Sequence, residues 1–269
     1  MKYTILVILS AALGVGESAF AREAILEQVL RQAASWRVQG VQPVVVMDLD
    51  ETTVDSIPRR LASLQGALPA ACVGVAHRLD CDRLEKVKLR DLYELKNRYD
   101  FSELLVAAQV APSSWSSDLE KAMVSEYLSG AHIELDRAVP GADHFIDELH
   151  TSGAKIVYVT SRFEDVQGAP TRRSLEVLGY MNPAQLSELF LRTRGQSSID
   201  FKQKTYETIQ QEVTTSPTPA AVLAVFENEP ENMMALASHF PEALRVFVLG
   251  AMIKAGALPE VTTHIQNYL

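Results

Sequence analysis

Cysteine is scarce in this chain: Cys72 and Cys81 are its only two in 269 residues. With no His or Cys pair at ligand spacing beside them, a zinc site is not expected. Positive charge is also in deficit. Lys and Arg number 25 against 34 Asp and Glu, a formal charge of −9, and no basic run occurs. Nucleic-acid binding, which shows as a basic patch or stripe, is therefore not expected. There is no internal repeat and no low-complexity tract. Beyond the first twenty residues no segment is apolar and long enough to span a bilayer, so no membrane anchor is expected there. The six histidines are scattered and form no constellation.

The N-terminus has what the rest lacks. Lys2 precedes an almost continuous apolar stretch from Tyr3 to Val15, and Ala19-Phe20-Ala21 follows with small residues flanking one large one. This is the pattern of a cleaved signal peptide over residues 1–21. The stretch is shorter than the roughly 20 residues a spanning helix needs. The mature protein is expected to be periplasmic or secreted. In an oxidising compartment Cys72 and Cys81 read as a disulfide, with two free buried thiols as the alternative. So short a loop contributes about 2.5–3 kcal/mol on the chain-entropy argument.

Apolar residues make up 47% of the chain, enough for a large core. Residues 22–37 place Ile25, Leu26, Val29, Leu30 and Ala33 at helical spacing. Short apolar runs then recur at 44–47, 156–159, 189–191, 221–226 and 244–249. They are rich in Val and Ile and do not alternate, as expected of strands buried on both faces of a parallel sheet. Helical patterns at 141–150, 171–178, 201–213 and 230–238 separate them. The fold class expected is α/β, a three-layer Rossmann-like parallel sheet. The core occupies 22–56 and 139–269, and residues 57–138 carry helical patterns without a strand. Two helices are expected there, over 82–99 and 117–128. An insertion just after the first strand reads as a helical cap above the edge where open sheets bind ligands, or as a hairpin packed on the core.

Four segments carry chemistry. Val44-Val45-Val46-Met47 ends in Asp48-Leu49-Asp50-Glu51-Thr52. Carboxylates spaced i, i+2 at a strand end face one side, and they repel unless a cation lies between them or one is protonated. Such oxygen ligands suit Mg²⁺. The strand 156–159 ends in Thr160-Ser161-Arg162, two hydroxyls and a cation suited to phosphate oxygens. Asp200 and Gln203 have capping-box spacing, which places Lys202 in a first helical turn. Lys202 lies four residues before Tyr206, on the buried stripe with Ile209 and Val213, while Lys204 points roughly 160–200° away. Lys202 is therefore the candidate. Finally, Val225-Phe226 runs into Glu227-Asn228-Glu229-Pro230-Glu231, where of Glu227 and Glu231 one is expected to bind metal and the other to support it. Taken singly, each segment also reads as an ordinary strand end or helix cap.

In this order the four segments resemble the haloacid dehalogenase-like hydrolase superfamily, over about residues 43–60 and 138–250. Asp48, Asp50 and Thr52 match its Asp-x-Asp-x-Thr motif, Thr160 its second motif, Lys202 its third, and Glu227 and Glu231 its acidic fourth. Together with the export pattern, the chain looks most like the secreted class C acid phosphatases. It departs from them in having Phe226-Glu227 where Gly-Asp is usual, and in lacking a tyrosine near Ile57-Pro58-Arg59-Arg60. The resemblance implies a Mg²⁺-dependent phosphomonoesterase acting on a small-molecule phosphate ester through an aspartyl-phosphate. Asp48 would be the nucleophile, and Asp50 would protonate the leaving alcohol and then activate water. Asp48, the Asp50 carbonyl and Glu227 would hold the metal, with Thr160, Ser161 and Lys202 binding substrate oxygens. Arg59, Arg60 and Arg162 are candidates for contacting anions. The alternatives are a phosphotransferase or mutase of the same fold, and a binding protein with weakened turnover.

Overall fold

The computed structural model describes residues 24–74, 76–95, 100–181, 183–249 and 257–269. Residues 1–21, expected to be a signal peptide, lie outside them. Six strands form one wholly parallel sheet in the order β5-β4-β1-β6-β7-β8. They are β1 (Gln42–Met47), β4 (Lys155–Phe163), β5 (Ser187–Arg192), β6 (Ala220–Glu227), β7 (Leu244–Val248) and β8 (Thr262–Ile265). The first five are the apolar runs of the sequence. The last, Thr262-Thr263-His264-Ile265, is an edge strand paired with β7 and has no apolar run.

Alternate side chains of each strand point to opposite faces, and both faces are buried. Val45, Met47, Ile156, Tyr158, Ala224, Phe226 and Val246 pack on one side. There they meet the first helix, α1 (24–38), α7 (Ala142–Thr151) and Leu175 of α8 (Glu164–Val177). Val44, Val46, Val157, Val159 and Val225 pack on the other side, against α9 (Ser198–Thr215) and α10 (Pro230–His239). This is the three-layer α/β sandwich expected. Each fully buried Val, Ile or Phe contributes about 1.5–3 kcal/mol, so the strands without alternation are those that hold the layers together.

The chain leaves the core through β2 (Val54–Asp55) and returns through β3 (Arg137–Ala138), which pair antiparallel as a two-residue stem. Between them lie α2 (Ile57–Ala71), α3 (Arg78–Leu84), α4 (Leu89–Tyr93), α5 (Phe101–Ala107) and α6 (Ser114–Leu128), followed by a 3-10 turn at Ile133–Leu135. These helices share an apolar cluster of their own, built on Ile57, Leu64, Leu84, Leu92, Leu104, Leu119 and Met123. A disulfide joins Cys72, at the end of α2, to Cys81 in α3, with Cα atoms 6.0 Å apart.

Several boundaries differ from the sequence reading. The single helix expected over 82–99 is two short helices, α3 and α4, and its end at 96–99 lies outside the described residues. Helix α8 begins seven residues before the expected 171, running through Gly168 and Pro170, residues that ordinarily argue against helix. Helix α9 is capped by Ser197, whose hydroxyl accepts from the Asp200 N–H at 3.1 Å. The cap is thus three residues earlier than the Asp200–Gln203 box implied, and Lys202 sits in the second turn.

Candidate active site

In-register parallel pairing sets the site. Met47 pairs with Tyr158 of β4 and with Phe226 of β6, so the residues that follow emerge together at the carboxyl edge of the sheet. The Asp48 N–H continues the ladder to the Phe226 carbonyl at 3.0 Å. After Asp48 the chain makes one tight turn in which the N–H groups of Thr52, Thr53 and Val54 all donate to the Leu49 carbonyl. Glu51 takes a left-handed backbone conformation (φ 62°) to close that turn, a conformation disfavoured for a side chain of its size. Its carboxylate is held by the N–H and hydroxyl of Ser56, at 3.0 and 2.7 Å. Burial pushes the Glu51 carboxyl up to about 7 against these hydrogen bonds.

Lys202 lies between two carboxylates. Its Nζ donates to Asp48 Oδ1 at 2.7 Å and to Glu227 Oε2 at 2.8 Å, and the residue is only 2% exposed. Lys204, two residues on, is exposed. Burial, then Glu227, push the Asp48 carboxyl up to about 8 against the pull of Lys202. Burial would lower Lys202, but Asp48 and Glu227 outweigh it and hold the ammonium well above its ordinary range. Glu227 is wholly buried, and its other oxygen accepts the N–H groups of Asn228 and Glu229, each at 3.0 Å. It stands behind the cavity, anchoring Lys202, while Glu229 and Glu231 stand at the cavity wall.

Asp50 meets two guanidinium groups. Arg162 holds it with two bonds, Nε to Oδ2 at 2.9 Å and Nη2 to Oδ1 at 2.7 Å, and Arg59 of the cap helix α2 donates to the same Oδ1. Burial would raise the Asp50 carboxyl, yet Arg162 and then Arg59 overcome it and hold it below the ordinary carboxylate range. An ionised Asp50 has no proton to give a leaving alcohol. Arg162 also binds Asp136 at 2.7 Å, and Arg59 approaches the same carboxylate at 3.2 Å. Arg59 further donates to Tyr127 Oη at 2.8 Å, and its guanidinium lies 4.2 Å from that ring. Arg60 lies over the Phe101 and Tyr127 rings. Arg59 and Arg162 are therefore built into an internal network, which was not legible in the sequence.

Strand β4 runs on through the residues expected to follow it. Its register against β5 breaks between Thr160 and Phe163, and such a bulge re-aims side chains. Thr160, Ser161 and Arg162 line the cavity together with Asp48, Asp50 and Lys202. The cavity is about 410 Å³, within the range of small-molecule sites. Ser161 makes a close hydroxyl contact with Ser198.

Among the described residues no group of three His, Cys, Asp or Glu side chains is arranged to hold a metal ion. Oxygen donors for a hard cation are nevertheless present. Thr52 Oγ1 stands 3.2 Å from both Asp48 Oδ2 and Asn228 Oδ1, and its single proton cannot serve both. Buried Asn228 meanwhile leaves Nδ2 unpartnered. Turning that amide over lets Nδ2 donate to Thr52 and Thr52 donate to Asp48, with Asn228 Oδ1 then an unpaired oxygen in the cavity wall. An amide oxygen beside a carboxylate is a donor set that fits Mg²⁺.

The sequence reading missed Asp136, Tyr127, Asn228 and Arg192. Asp136 and Tyr127 carry no sequence signal, since their roles arise from contacts between cap and core. Arg192 had one: it follows the apolar run of β5 as Thr160 follows that of β4.

No family model matches the chain, and no curated protein matches it. Among solved structures it is similar to Protein Tyrosine Kinase A of Mycobacterium tuberculosis, with 19% identity, a TM-score of 0.51, and 82% of this chain and 92% of that one covered. It is also similar to a subfamily IA hydrolase of the haloacid dehalogenase superfamily from Geobacter sulfurreducens, with 14% identity, 85% and 94% coverage and a TM-score of 0.48. A haloacid dehalogenase-like hydrolase from Streptococcus pneumoniae aligns at 13% identity, 80% and 88% coverage and a TM-score of 0.44. The parallel six-stranded sheet, the helices on both its faces and the insertion after the first strand give this chain a three-layer Rossmann-like α/β fold, the level at which it is similar to the mycobacterial protein.

Proposed function

We propose that the protein is a Mg²⁺-dependent phosphomonoesterase, akin to the class C acid phosphatases, that transfers the phosphoryl group of a small ester to Asp48 and then to water. The observation that carries this reading is the buried Asp48–Lys202–Glu227 bridge, of which Asp48 and Lys202 line the same cavity as Asp50, Thr160 and Ser161. The ammonium works against the burial that favours a protonated Asp48, and it occupies Oδ1, which leaves Oδ2, beside Thr52, as the attacking oxygen. Attack by Asp48 on phosphorus breaks the ester P–O bond, and water then releases phosphate from the aspartyl-phosphate. Thr160, Ser161 and Lys202 offer donors to the phosphoryl oxygens, an electrostatic task in which positioning dominates. Both halves of the role expected of Asp50, giving a proton to the leaving alcohol and then taking one from the attacking water, require Arg59 and Arg162 to release it, because both its oxygens are bonded to them and a carboxylate so stabilised is a weak base.

Asp48, the Asp50 main-chain carbonyl and the Asn228 amide oxygen would hold Mg²⁺, which would offset the repulsion between nucleophile and phosphate. Glu227 supports the site by anchoring Lys202. An exported location is part of the proposal, supported by the pattern of residues 1–21 and by the Cys72–Cys81 disulfide.

Hydrolysis of 4-nitrophenyl phosphate by the purified protein tests the reading. EDTA should abolish phosphate release and added Mg²⁺ restore it. Asp48→Asn should lower the rate by on the order of 10³-fold or more. A wild-type protein that releases no phosphate across a broad ester panel would overturn the phosphatase reading.

A further inference from the structure

Four cations line the cavity, and three are already neutralised within the protein. Lys202 lies between Asp48 and Glu227, and Arg59 and Arg162 hold Asp50 and Asp136. Arg192, at the end of β5, is different. Its Nε donates to the Ser161 carbonyl at 3.1 Å and its Nη1 to the Gln196 carbonyl at 3.3 Å, while Nη2 has no partner among the described residues. Its guanidinium lies 4.3 Å from the centre of the Phe163 ring, which fixes its plane. No carboxylate among the described residues pairs with it. Its neighbour Arg194, stacked over the same ring at 5.3 Å, is paired with Asp165.

Carbonyl oxygens orient a guanidinium without cancelling its charge, so Arg192 presents a fixed and uncompensated positive group to the cavity. Its place in the sheet gives a distance. Strands β1 and β5 flank β4, and adjacent strands lie about 4.8 Å apart, so their ends are separated by about 10 Å. The cavity acids Glu229 and Glu231 follow β6, on the far side of β1 from β5.

We infer that Arg192 is a specificity-determining residue that binds a second anionic group of the substrate, a carboxylate or a further phosphate several ångströms from the phosphoryl group at Asp48. This rests on the phosphomonoesterase reading and names the substrate class for it: a phosphate ester with a second negative charge on its leaving group.

The test compares 4-carboxyphenyl phosphate with 4-methylphenyl phosphate, esters of the same shape that differ in charge, in wild type, Arg192→Gln and Arg192→Lys. The ratio of kcat/KM values, charged over uncharged ester, should fall about tenfold in Arg192→Gln, with Arg192→Lys in between. Differences in leaving-group reactivity cancel when the ratio is compared between proteins. An unchanged ratio would overturn the inference. Calorimetric binding of the corresponding non-hydrolysable phosphonates decides the same question without turnover. If wild type hydrolyses neither ester the phosphatase reading falls, and the inference then stands or falls on whether Arg192→Gln selectively loses the carboxylated phosphonate.

Discussion

Lys202 shows how one residue can carry both stability and chemistry. An ammonium between two buried carboxylates is in balance only while all three are present. Lys202→Met leaves Asp48 and Glu227 as an uncompensated pair in a low-dielectric site, and should cost about 3–5 kcal/mol in urea denaturation. The double variant Lys202→Met with Glu227→Gln removes one of the repelling charges and should recover part of that loss. Equal stability of the single and double variants would show that the bridge is not what holds this corner.

Glu51 gives a pH dependence with a definite sign. Its carboxyl is raised by burial from 4.5 to about 7 in the folded protein. Between those values the native state binds the proton that the unfolded chain has released, so this group's contribution falls as pH rises and is lost once pH passes about 7. Glu51→Gln keeps an acceptor for Ser56 and removes the titration. The stability of wild type relative to this variant should therefore drop by about 3 kcal/mol between pH 4.5 and pH 8. Parallel stability curves for the two proteins would refute the assignment.

Among the elements, the cap helices depend on two local devices. The first is the disulfide between α2 and α3. Replacing both cysteines by serine should cost about 2.5–3 kcal/mol if the constraint acts on the unfolded chain, measured against the oxidised protein. The second is Gly130, just past α6, with φ +83° and space for a Cβ only 2.5 Å from the Val166 carbonyl oxygen of α8. No side chain fits there, because both the backbone angle and the neighbouring backbone forbid it. Gly130→Ala should destabilise by more than the roughly 1 kcal/mol of the angle alone, since α6 must also move off α8. Helix α8 itself begins through Gly168 and Pro170, against local propensity, while Thr171 and Leu175 of the same helix are buried against the core. Burial here outweighs the intrinsic preference of the chain.

Across the molecule, cap and core meet through charge. Arg59 comes from the cap helix, Asp136 from the return to β3, and Arg162 and Asp50 from the core strand ends. Tyr127 of α6 joins them and donates to Ser56 at 3.1 Å, which in turn holds Glu51. Removing the Asp136 charge leaves two buried guanidinium groups sharing Asp50. Asp136→Asn should cost about 3 kcal/mol or more, and amide exchange in α2 and α6 should quicken before exchange in β1. Uniform acceleration over the whole chain would instead mark Asp136 as an ordinary core residue.

The layered core was legible in the order of the residues, because a strand buried on both faces must be apolar throughout, and an acid or hydroxyl at its end has only the sheet edge to occupy. The choice of Lys202 over Lys204 followed in the same way, from the period of a helix with one face buried. The cap interior was less legible: short helices broken by loops blur a single period, and a two-residue stem leaves almost no pattern. The partners of each charge were not legible at all. Asp50 looks like a proton donor when read along the chain, yet Arg59 and Arg162, distant in sequence, hold it as an anion. Burial patterns are local and survive in one dimension, whereas the state of a charge depends on everything within a few ångströms, which folding alone brings together.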